Sequence, residues 1–151
     1  DTNVYVSAFI GQADSCREIL RELYRQHYTL LVSNAIINEI NNILWLKAEQ
    51  CRLSREEKIE LNRKFVTAIS WAESVTVKTK VNYCREDPSD NKFISCAIDG
   101  NADYIISGDE SHLLSIKDVI LNKTGGVITI ISPETFMKVL LMEKVNKRRL
   151  V

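Results

Sequence analysis

The sequence predicts an α/β fold in which a mainly parallel sheet is covered by helices on both faces. Three observations lead there. Helical and strand patterns alternate along the chain, only two prolines and five glycines punctuate it, and 45% of its 151 residues are apolar, enough to fill a core. Parallel neighbours need crossover connections, which a helix supplies. No repeat or low-complexity segment interrupts the chain, so residues 1–151 read as a single domain with a basic tail at 144–151.

The elements follow in order. Asp1-Thr2-Asn3, ahead of Val4, Tyr5, Val6, Ala8, Phe9 and Ile10, reads either as a polar start or as the end of an upstream strand. From Ser15 to Gln26, Ile19, Leu20, Leu23 and Tyr24 recur at helical spacing, and a second helix spans Asn34 to Lys47. The strand Tyr28 to Val32 separates them. A third helix, Arg55 to about Glu73, starts behind Ser54, whose Ser-Arg-Glu-Glu sequence forms a capping box with Glu57. Ser74 to Thr79 reads as a strand. A helix opened by Asp87-Pro88 comes next, then the apolar run Tyr104 to Ser107, a loop, the strand Val127 to Ile131, and a helix from Pro133 to about Lys144.

Twenty basic and twenty acidic residues balance, so no global field selects nucleic acid or membrane. The apolar runs are too short for a membrane span and no signal peptide is present, which leads us to expect a soluble, cytoplasmic protein with no membrane partner. Cys16, Cys51, Cys84 and Cys96 are scattered and read as reduced packing residues, as Trp45 and Trp71 read as helix packing. With only His27 and His112 present, carboxylates must carry most of any catalysis.

Ligands of open α/β sheets gather beyond the carboxyl ends of the strands, and several acids fall there or break an apolar pattern. Asp90 lies within roughly 40° of the apolar centre of its helix, near Ile94. Asp87, before Pro88, reads as an N-cap. Asp109 follows Tyr104 to Gly108, just past a buried strand, where a solvated turn acid is the bland alternative. Glu39 lies on the rim of its helix, about 100° from the apolar stripe. Converging carboxylates repel unless a hard cation neutralises them; Mg2+ or Mn2+ suits such an oxygen-rich site and favours phosphoryl hydrolysis.

Asp1-Thr2-Asn3-Val4, Glu39 after Ser33, Asp87-Pro88-Ser89-Asp90-Asn91-Lys92-Phe93, Ala102 to Asp109 with Leu113-Leu114, and Ile131 to Phe136 resemble the PIN-domain ribonuclease family. The motifs are individually weak but specific in this order, and they span nearly the whole chain. The resemblance implies a three-layer α/β/α sandwich and an acidic pocket binding Mg2+ or Mn2+. It also implies endonucleolytic cleavage of single-stranded RNA. The chain looks like the toxins of type II, VapC-like toxin–antitoxin systems, which implies a cognate antitoxin and a homodimer. Carried onto this sequence, the catalytic and metal-binding acids are Asp1, Glu39, Asp90 and Asp109, with Asn3 and Ser107 as orienting polar groups. Asp87 is a possible fifth acid, though it reads better as a cap.

The family's first aspartate follows a buried central strand, whereas Asp1 opens this sequence. The first strand is therefore missing and is expected in a segment upstream of Asp1, because a sheet without its centre leaves its other elements unsupported. For substrate, Arg85 and Lys92 flank the expected pocket, and Lys144, Lys147, Arg148 and Arg149 form the densest basic cluster. A frayed tail and ordinary surface charge explain them equally well, so no substrate-binding residue is assigned. Two rival functions remain: a non-catalytic nucleic-acid or protein interaction module that keeps the fold, and a metal phosphohydrolase acting on small esters.

Overall fold

The computed structural model describes residues 1–11, 13–142 and 148–150. In chain order the elements are α1 (Thr2–Phe9), α2 (Asp14–Tyr24), β1 (Tyr28–Val32), α3 (Asn34–Gln50), α4 (Arg55–Ser70), β2 (Glu73–Ser74), a 3₁₀ turn (Pro88–Asp90), α5 (Asn91–Asp99), β3 (Tyr104–Ile106), β4 (Ile120–Leu121), β5 (Val127–Ile131), α6 (Pro133–Met142) and β6 (Arg148–Leu150). The strands form one sheet in the order β2-β1-β6-β3-β5-β4, parallel except for β4 on β5.

Side chains alternate across a strand, and the two faces of β1 meet different helices. Tyr28 donates its hydroxyl proton to the Ile19 carbonyl of α2 at 2.7 Å and meets Phe136 of α6 edge-on, with ring centroids 5.6 Å apart. Leu31, on the opposite face, lies against Gly100 at the end of α5, where an added Cβ would sit 2.8 Å from Leu31 Cδ1. Helices therefore cover both faces, as the α/β/α sandwich requires. The Ser54–Glu57 capping box starts α4 with both of its hydrogen bonds present and stabilises it by about 1 kcal/mol.

Four expectations need correction. The centre of the sheet is not empty: Arg148–Leu150 pairs in parallel with β1 (Tyr28↔Arg148, Leu30↔Leu150) and with β3 (Tyr104↔Leu150). Leu150 is buried there, so residues 148–150 form a central strand; Lys144 and Lys147 lie outside the described residues. The strand expected over Ser74 to Thr79 is only Glu73–Ser74, because the Lys78 and Thr79 amides turn away to the Asp99 carboxylate. Helix α1 forms although its opening reads from sequence as a polar start or strand end. Asp1 caps it, accepting from the Val4 amide at 3.1 Å, while Tyr5 and Ala8 bury one face. Lastly, all four thiols are free, but Cys51 is exposed, as are much of Trp45 and Trp71.

Candidate metal centre

Asp1, Glu39, Asp90 and Asp109 line one cleft of about 280 Å³, together with Thr2, Asn3, Asp87 and Phe93. The cleft opens where β1, β6 and β3 end. Asp1 stands at the end of β3, its backbone nitrogen donating to the Ile106 carbonyl at 2.5 Å. Ser107, fully buried after β3, donates its hydroxyl to Asp1 Oδ2 and accepts from the Asp109 amide at 2.9 Å. One hydroxyl thus ties two of the acids together. Asn3 is exposed on the rim.

The four carboxylates are compensated to different degrees. Asp109 Oδ1 accepts from the Ser111 and His112 amides at 2.9 and 3.2 Å, and Oδ2 shares a proton with His112 Nδ1 at 2.6 Å. Burial alone would raise its pKa, but the imidazole and the amides outweigh burial and hold it below the usual carboxyl value. The same hydrogen bond raises the pKa of His112. Glu39 projects from α3, which Ser33 caps by accepting from the Ile36 amide at 3.4 Å. Its Oε1 accepts from the Thr2 hydroxyl at 2.6 Å, and its Oε2 pairs with Lys92 Nζ.

Asp90 differs. Among the described residues no hydrogen-bond donor reaches its carboxylate, and His112 Nδ1 stands 3.9 Å away. Burial, the Asp87 charge and the Asp109 charge push its pKa up, against partial relief from Lys92 and His112. It occupies the last position of the 3₁₀ turn, where the sequence pattern places a first-turn helix residue. Asp87 caps that turn, accepting from the Ser89 amide at 3.0 Å, and this bond holds its own pKa down. Asp87, Asp90 and His112 can each offer a ligand atom, all within 4.8 Å of one another.

These donors fit a divalent cation. Carboxylate oxygens dominate, and the half-buried Asp90 has only partial relief from His112 and Lys92, a deficit that a cation would offset. Thr2 lines the cleft, and Lys92 and His112 pair with its acids Glu39 and Asp109, although the sequence reading placed Lys92 only on the pocket's flank and gave the other two no role there. Each lies within three residues of a predicted acid, the one signal that could have found them. Asn91 is a further omission. Its buried side chain accepts from the Tyr83 and Cys84 amides at 2.8 and 3.0 Å and donates to the Cys84 and Pro88 carbonyls at 3.1 Å, fixing the segment that carries Asp90. Arg85 lies outside this cleft and lines a neighbouring one of about 320 Å³ with Ser111, His112 and Lys117.

Comparison with known proteins gives this geometry a context. Residues 1–111 match the PIN domain family. The chain belongs to that family. It is also similar to the uncharacterized protein MJ1680 of Methanocaldococcus jannaschii, with 34% identity over 122 residues that cover 78% of this chain and 73% of the relative. No solved structure matches it significantly. A PIN domain is a nuclease fold that typically uses divalent metals, which implies a nucleic-acid substrate. Among the described residues of this PIN domain, no helix is long and apolar enough to cross a membrane.

Proposed function

We propose that this PIN domain is a divalent-metal-dependent endoribonuclease that cleaves single-stranded RNA. The observation that carries the reading is Asp90, a half-buried carboxylate that no hydrogen-bond donor reaches among the described residues, in a cleft shared with Asp1, Glu39 and Asp109 from three other segments. Those four acids frame the candidate site for Mg2+ or Mn2+. When bound, the ion would supply Lewis-acid chemistry at the scissile phosphate.

The chain's own residues do the positioning. Ser107 holds Asp1 and Asp109 in mutual register, His112 and the loop amides fix Asp109, and Asn91 anchors the turn that presents Asp90. Arg85 and Lys117 in the adjoining cleft provide cations for a phosphate backbone that continues past the acids. The test is Asp90→Asn. We expect it to stay folded by circular dichroism and to lose Mn2+-dependent cleavage of single-stranded RNA by about 100-fold or more, with chelation abolishing the wild-type activity. Undiminished metal-dependent cleavage by the variant overturns the assignment.

The further reading as the toxin of a type II toxin–antitoxin pair, dimeric and held by a cognate antitoxin, rests on the motif resemblance. Induced expression of the wild type, and not of Asp90→Asn, should then arrest growth.

A further inference from the structure

A lysine pairs with one of the cleft acids. Lys92 Nζ pairs with Glu39 Oε2, donates to the Ser89 carbonyl at 2.8 Å and lies 4.9 Å from the centroid of the Phe93 ring. Its side chain is only 16% exposed, well below the usual state of a surface lysine. The other oxygen of Glu39 accepts from the buried Thr2 hydroxyl at 2.6 Å. Both oxygens of this carboxylate are therefore engaged, and its charge is balanced by a neighbour on the turn that carries Asp90. Asp90 has only the His112 imidazole, 3.9 Å away.

We propose that Lys92 is a resident counter-cation of the acidic cleft, which holds Glu39 out of direct ligation and limits the cleft to one divalent ion carried by Asp1, Asp90 and Asp109. This deepens the metal reading above and rests on it. The physical reason is charge exclusion. A second divalent ion at Glu39 would have to displace an ammonium that also has a carbonyl and an aromatic face as partners, and it would sit close to that ammonium if it did not. Glu39 then acts as a positioning residue, which aligns Thr2 at the start of α1 and Lys92 at the start of α5.

Titration of the intact protein with Mn2+ in a calorimeter tests this without reference to activity. The wild type is expected to bind one ion per chain, and Glu39→Gln to change its affinity by less than about threefold. Lys92→Met keeps the aliphatic stem and removes the charge; it is expected to bind Mn2+ on the order of tenfold more tightly or to take up a second ion. In that background Glu39→Gln should reverse the gain. Lys92→Arg, which keeps the charge, should behave as wild type and remains informative if Lys92→Met does not fold.

Two ions on the wild type overturn the inference, as does Glu39→Gln weakening binding as much as Asp90→Asn, or Lys92→Met binding more weakly than wild type. Those results leave the metal reading standing. A folded wild type that binds no Mn2+, or an Asp90→Asn variant that binds it undiminished, overturns the metal reading and this inference with it.

Discussion

Helix α5 has an aspartate at each end, and the protein treats the two in opposite ways. Asp99, at the carboxyl end, has a side chain only 1% exposed and is surrounded by donors. It accepts from the Lys78 and Thr79 amides, the latter at 2.8 Å, and from the Thr79 hydroxyl at 2.6 Å, and it pairs with Lys123 Nζ at 2.7 Å. Burial would raise its pKa, but these partners hold it well below the usual range. Asp90, before the amino end, is half-buried and receives no hydrogen-bond donor among the described residues, so its pKa moves the other way. The difference separates an acid whose partners are all within the protein from one left short of a cation. A buried carboxylate of the first kind supports the fold; one of the second kind costs stability, a cost that makes sense where something else binds.

The largest test of this contrast is removal of the satisfied acid. Asp99→Ala leaves two amides, a hydroxyl and the Lys123 ammonium without their shared partner, and should cost about 3 kcal/mol of stability by urea unfolding. It should also free the 75–79 segment, which β2 leaves after only two paired residues, and so speed amide exchange at Lys78 and Thr79. A loss under about 1 kcal/mol would place Asp99 among ordinary surface acids.

The second test is smaller and opposite in sign. Asp90→Asn removes a desolvated charge and should raise stability at neutral pH by up to about 1 kcal/mol in the absence of metal. The two aspartates also differ in their pH windows. The pKa of Asp99 is lowered on folding, so its contribution is full above the ordinary carboxyl value near ~3.9 and is lost as pH falls below it toward the folded value. The pKa of Asp90 is raised, so the native state holds its proton more tightly, and stability falls as pH climbs from ~3.9 through the folded value. The gap between Asp90→Asn and wild type should therefore open on going from acid to neutral pH. The gap between wild type and Asp99→Asn should close on going the other way. Urea midpoints across that range measure both, and parallel profiles would remove the distinction.

How much of this could be read in the sequence follows from what is local. Helices α2, α3 and α4 and strands β1 and β5 carry their own periodicity, and Ser54 with Glu57 announces a helix start by hydrogen bonds within one turn. The four cleft acids were legible because each stands out locally, after a strand, on the apolar side of a helix, off an apolar stripe or at the head of the chain. Their compensation was not. Whether Glu39 is neutralised depends on Lys92, 53 positions along the chain, and whether Asp109 is fixed depends on a histidine dismissed for want of company. Strand β6 was hidden for the same reason. Three residues ending Arg-Arg-Leu show no alternation that marks a strand, and their place at the sheet centre is decided by neighbours on either side.

The finest test lies on Asp87, which shares features of both classes. It caps the 3₁₀ turn as an anchor would, accepting from the Ser89 amide, yet its carboxylate also lines the cleft near Asp90 and helps raise the Asp90 pKa. Asn accepts the same backbone hydrogen bond as Asp, so Asp87→Asn keeps the cap and removes only the charge. If Asp87 is an anchor, Mn2+ affinity should fall by less than about fivefold, the scale of one partly screened neighbouring charge. The Asp90 pKa should move down toward its ordinary value, as followed by carboxyl carbon NMR, because one of its two repelling neighbours is gone. If Asp87 is a ligand, the affinity loss should instead match that of Asp90→Asn. Asp87 would then join Asp90 and His112 as a metal-binding group, and the 3₁₀ turn would present two ligands to the cleft rather than one.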